Sequence, residues 1–141
     1  MRLPPLLSER PRPAQVLLAV VVPAVYGAIT GIFLGVSELV YLVLSVAGIL
    51  GGVGAGLEHM GAAAGARRGV IAGSLFGGFI LIAHELSGAD AEAHLPEPAI
   101  LLVVITTTLA IGLAGLGGRL RAREVRKGAV AEGPEMPGPL G

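Results

Sequence analysis

Four uncharged apolar stretches divide the chain, at residues 14–34, 39–57, 69–83 and 99–116. At 1.5 Å rise per residue, the first spans about 30 Å as a helix, the thickness of a bilayer's hydrocarbon core. None of the four carries the polar face that a helix needs to lie on the surface of a soluble domain. The pattern therefore predicts an all-α membrane protein, a four-transmembrane-helix bundle with helices over about 14–35, 39–57, 66–84 and 99–117. Three regions follow: a disordered lead over 1–13, a membrane domain over 14–118, and a tail over 119–141 that is first basic and then disordered.

The breaks between the stretches are readable residue by residue. Pro4, Pro5, Pro11 and Pro13 oppose a regular helix in the lead. Pro23 falls inside the first stretch and predicts a kink whose freed carbonyl is satisfied by a neighbouring helix. Ser37-Glu38 marks a tight turn, and Glu58-His59 ends the second helix. Residues 60–68 (MGAAAGARR) form a small-residue connector with helical potential. The third stretch is short for a span unless Arg67 and Arg68 snorkel at one end and His84-Glu85 sit at the other. Residues 86–98 (LSGADAEAHLPEP) read as a loop. Thr106, Thr107 and Thr108 are tolerated in the fourth stretch because their hydroxyls can bond the preceding turn.

Charge sharpens this picture. Charged residues make up only 14% of the chain, against 53% apolar, and the mean hydropathy is +0.79. Net charge is zero, yet Lys and Arg number three, none, two, none and five in the successive segments outside the stretches. The positive-inside rule then puts both termini and the middle connector in the cytoplasm, with Arg67, Arg68, Arg119, Arg121 and Arg123 as topology anchors. The loop holding Glu85, Asp90, Glu92 and Glu97 faces outward. The first stretch exceeds a signal peptide's apolar region and no polar cleavage region follows it, so it is expected to remain as a helix. Arginine in preference to lysine, with abundant Gly and Ala, points to a GC-rich bacterial genome and hence to the inner membrane.

Glycine recurs every fourth residue: Gly27, Gly31 and Gly35; Gly48, Gly52 and Gly56; then Gly61, Gly65, Gly69, Gly73 and Gly77. Ala110, Ala114 and Gly118 form a weaker version in the fourth helix. Residues four apart share a helix face, so each set makes a smooth groove through which backbones approach closely. Such glycine-zipper faces serve either the packing of the bundle itself or its association with a second copy or another membrane protein.

Candidate chemistry is sparse. Ionisable residues near the membrane boundary are Glu38, Glu58, His59, His84 and Glu85, read either as interfacial caps or as a weak ion-binding or proton-relay site. The two Glu/His pairs fall at opposite ends, which separates them by about a bilayer. There is no cysteine, and no metal-ligand spacing, nucleophile motif or phosphate-cradling loop is present, so no catalytic residue, metal or cofactor is assigned. The basic tail suits anionic lipid headgroups, with no nucleic-acid partner expected. In size and helix number the plan resembles small multidrug transporters and fluoride channels. No acid lies within residues 14–34 and the chain has no Asn, so the residues those families rely on have no counterpart here. The expectation is a non-enzymatic structural or accessory membrane component that associates with itself or with a membrane partner. The alternative is a small oligomeric channel or transporter lined by Ser45, Ser74 and the threonine triplet.

Overall fold

The computed structural model describes residues 3–131. It is all-helical in its regular structure, with four helices long and apolar enough to cross a bilayer: α1 Arg12–Leu34, α2 Glu38–Gly56, α3 Ala62–Ser87 and α4 Ile100–Ala131. They run up and down in turn. α3 packs most closely on α4 and α1, α2 leans on α4, and α1 and α2 are the loosest neighbours around the ring.

The helices are turned inside out relative to a water-soluble bundle. Gly27, Thr30, Gly31, Gly69, Gly73 and Thr106 are buried, while Val25, Ile29, Ile32, Leu42, Val43 and Leu50 face outward. Water would penalise so continuous an apolar exterior, whereas lipid does not. The buried small residues have a geometric role. A Cβ built on Gly27 or Gly31 would collide with the carbonyl oxygen of Phe76 or Ile80, and one on Gly56, Gly65 or Gly69 with that of Ala114 or Ala110. A Cβ on Gly73 would lie 2.6 Å from Thr107 Cα, and one on Gly77 would strike the Thr106 hydroxyl. Gly48 backs onto the stacked rings of Tyr26 and Phe76, whose centroids are 5.8 Å apart. At Gly35 the crowding atom is Ala89 Cβ, and at Gly52 the only near neighbour is Leu113 Cβ at 3.8 Å.

Several element boundaries differ from the sequence reading: α1 begins at Arg12, inside the lead, and α3 runs on to Ser87. The described part of the lead is ordered: a 3-10 turn at Leu7–Glu9 buries Leu7, and the Leu7 N–H donates to Glu58 O at 3.0 Å. Proline density excludes a long helix there, but it leaves the segment free to fold back on the bundle. α3 starts at Ala62, four residues ahead of the expected 66, because the helical potential of the Ala-rich connector is realised. α4 does not stop at Gly117-Gly118. A Cβ on either glycine would clash with Val53 O or Gly61 O, so the doublet is a contact point, and the Arg- and Ala-rich run beyond it holds good helix formers. From residue 132 the tail lies outside the described residues.

The two ends are closed differently. Ser37 caps α2 by accepting the Val40 N–H at 3.4 Å. Residues 88–99 fold over the same end: Gly88 takes φ +64° at the close of α3, the Glu92 N–H donates to Leu34 O at 2.9 Å, and Ala93 is buried beside Leu34, Tyr41, Ile80 and Leu102. All described Lys and Arg residues lie at the opposite end.

Candidate functional site

At the basic end the adjacent arginines Arg67 and Arg68 part company. Arg67 is exposed, whereas Arg68 is 7% exposed and turns into the bundle. The reason lies in α1. Its residues Leu17–Val21 form a wide π turn, in which the Val22 N–H donates to Leu17 O and so leaves Leu18 O without its usual donor. Pro23 has no N–H, so Ala19 O also lacks its donor. The Arg68 guanidinium takes both carbonyls, Nη2 donating to Leu18 O at 2.5 Å and Nη1 to Ala19 O at 3.1 Å. The neighbour required by Pro23 is thus α3, acting through one arginine.

Arg68 lines a partly open cavity of about 310 Å³ walled by all four helices, whose exposed wall residues, Val22, Ala47 and Gly51, all belong to α1 and α2. Its walls are Val22, Pro23 and Tyr26 of α1; Ala47, Gly48, Ile49, Gly51, Gly52 and Ala55 of α2; Ala72, Gly73 and Phe76 of α3; and Thr106 and Ala110 of α4. The void exists because the facing residues of α2 and α3 are mostly Gly and Ala. The hydroxyls that reach it are committed elsewhere: Tyr26 donates to Leu44 O at 3.0 Å and Thr106 to Gly73 O at 3.1 Å. Arg68 Nε is buried and without a partner.

A second arginine ties the basic end together. Arg121, 9% exposed, donates from Nη1 to Leu57 O at 2.7 Å and to Pro4 O at 2.6 Å, joining α4, the end of α2 and the lead. Arg10 pairs with Glu58 at 2.8 Å, and His59 Nδ1 lies 3.1 Å from Ala55 O. Arg119 and Arg123 are exposed.

At the far end Glu38 and Glu85 are exposed, and His84 is half-buried with an unpartnered Nδ1. The Glu58-His59 and His84-Glu85 pairs are held at opposite ends of the bundle, and among the described residues no three His, Asp or Glu side chains gather as a metal site would require. Of the hydroxyls assigned to a pore, only Thr106 borders the cavity; Ser74 bonds Val70 O at 2.7 Å and Thr108 bonds Val104 O at 2.8 Å, each on the helix exterior.

Sequence reasoning missed the inward turn of Arg68 and Arg121, although the signal was present. Each lies three residues after a buried small residue, Gly65 or Gly118, and residues three apart share a helix face. Arg67, two residues after Gly65, points the other way. Comparison with family models, curated proteins and solved structures returns no match.

Proposed function

We propose that this chain is a non-enzymatic, self-associating component of a bacterial inner membrane, with both termini in the cytoplasm. Within each copy the glycine faces act as zippers. This part of the reading rests on the steric contacts that any Cβ would make at Gly27, Gly31, Gly65, Gly69 and Gly73. The orientation rests on the segregation of Lys and Arg to one end and of Glu38, Glu85, Asp90, Glu92 and Glu97 to the other.

The observation that carries self-association is the poor engagement of α2. Only 11% of its apolar window is buried within the chain, the lowest share of the four helices. Its outward row Leu39, Val43, Val46 and Leu50 is spaced by three and four residues, and Gly54 on the same side has nothing within 4 Å. That spacing is the seam of a left-handed helix pair, and the natural occupant is the same seam of a second copy.

The absence of cysteine provides a clean test. Val46→Cys in native membranes is expected to form a disulfide-linked dimer on mild oxidation, whereas Leu116→Cys on the exposed side of α4 is not. No cross-link at Val46, or equal cross-linking at both positions, refutes the arrangement. For orientation, an impermeant maleimide should label Asp90→Cys from outside and spare Gly128→Cys.

A further inference from the structure

We propose that the lateral cavity binds the acyl chain of an anionic amphiphile, with the oxyanion of its headgroup held by Arg68. Three observations converge on this class of ligand. The first is charge. Arg68 is buried inside an apolar bundle and forms no ion pair among the described residues; Glu58, the carboxylate whose charge reaches it, is in direct contact with Arg10 at 2.8 Å instead. A buried cation solvated by two carbonyls gains strongly from an anion, because the low dielectric strengthens the attraction.

The second is unspent donor capacity. A guanidinium has five N–H groups in a planar fork suited to carboxylate or phosphate. Two are spent on Leu18 O and Ala19 O, and Nε is shielded and without an acceptor, so the capacity left for a ligand is in the second hydrogens of Nη1 and Nη2. The hydroxyls of Tyr26 and Thr106 are already engaged, so the guanidinium is the one cavity group with hydrogen bonds left to give.

The third is depth and shape. Arg68 is six residues into α3, about 9 Å from its start, near the level where headgroup meets acyl chain. From there the wall runs through Ala72 to Phe76, about 12 Å further along the helix, where the Tyr26–Phe76 ring pair closes the cavity. A polar group at one end, an apolar slot leading to mid-bilayer and an exposed wall on the side of α1 and α2 together match an amphiphile that enters sideways from the membrane. A free carboxylate or phosphate monoester and the headgroup of an anionic phospholipid share this chemistry.

The test is native mass spectrometry of the full-length, detergent-purified protein titrated with laurate, dodecyl phosphate, dodecanol, phosphatidylglycerol and phosphatidylcholine. One laurate or dodecyl phosphate per chain is expected, bound about tenfold or more tightly than dodecanol. Phosphatidylglycerol binding above phosphatidylcholine would identify the source as a membrane phospholipid, and its absence a free single-chain acid. Arg68→Gln should abolish the preference for the anion. Gly51→Phe, at a position with nothing within 4 Å of its Cβ, should fill the slot and abolish binding while Arg68 stays intact. Equal uptake of dodecanol and laurate by the unaltered protein, or undiminished laurate binding in Gly51→Phe, overturns the proposal even where Arg68→Gln fails to fold.

Discussion

The α3–α4 contact and the α1–α2 contact are both rich in small residues, yet they end as opposites. Between α3 and α4, Gly65, Gly69, Gly73 and Gly77 face Ala114, Ala110, Thr107 and Thr106 so closely that a methyl group would strike backbone or a committed hydroxyl. Between α1 and α2, Ala47, Gly51, Gly52 and Ala55 face a space that no side chain fills. Glycine brings backbones together only where the partner helix presents its backbone at close range, as α3 does at Phe76 and Ile80 to Gly27 and Gly31. In the opening turns of α1 the regular ladder is interrupted by the π turn at Leu17–Val21 and by Pro23, two features that bend helices. A smooth face then leaves a void, and Arg68 occupies its edge.

The largest expected effect comes from adding volume on the tight side. Gly69→Leu should prevent accumulation of the folded bundle, since the added atoms meet the Ala110 backbone and no flexible side chain is available to yield. Even Gly69→Ala should cost about 1–3 kcal/mol, the range for overpacking a filled core. The same addition on the loose side, Gly51→Ala, should leave the melting temperature unchanged or raise it slightly, because alanine is favoured over glycine in a helix and nothing opposes its methyl group. Thermal scans of the two variants in one detergent make the comparison, and similar losses in both would erase the distinction between the two contacts.

Next in size is the coupling between Arg68 and Pro23. Arg68→Gln strands two half-buried carbonyls, Leu18 O and Ala19 O, at about 1 kcal/mol each, the low end for an unsatisfied group. Pro23→Ala restores an N–H that can reach Ala19 O. If the guanidinium replaces the missing N–H, then Arg68→Gln in the Pro23→Ala background should cost less than in the original protein, by about 1 kcal/mol in a double-mutant cycle. Strict additivity would mean that the arginine and the proline act independently.

How much of this was legible in the chain follows from the same contrast. Helix number, loop positions and the sorting of charge are carried by long uniform stretches, where each residue repeats the message of its neighbours; α2 as Glu38–Gly56 lies within a residue of its expected bounds. The rotation of each helix is carried by single residues. Arg67 and Arg68 are the same residue type at the same boundary, and only their phase relative to Gly65 and Gly69 separates a solvated charge from a buried one. The Gly117-Gly118 doublet has the look of a helix stop because its two contacts, with Val53 and Gly61, come from elsewhere in the chain. The cavity was not legible, because it depends on which faces meet.

The smallest effect concerns the lead. Arg10 and Glu58 join residues 48 apart, at 2.8 Å, with side chains 30% and 14% exposed. A pair so close to solvent contributes about 0.2–1 kcal/mol. Arg10→Ala should therefore leave the bundle's melting temperature nearly unchanged, while loosening a segment that also relies on the Leu7 N–H to Glu58 O bond and on Arg121 reaching Pro4 O. Arg121→Ala removes that last bond and the one to Leu57 O together, so its effect should be larger. Amide hydrogen exchange at Leu7 and Arg10 reads the order directly: faster in Arg10→Ala, faster still in Arg121→Ala, and unaltered in Gly51→Ala. Equal protection in all three would place the lead's anchorage in the burial of Leu7 and its backbone bond to Glu58 O, and the basic end would then be held as the loop end is, by apolar contact and a backbone hydrogen bond without need of its arginines.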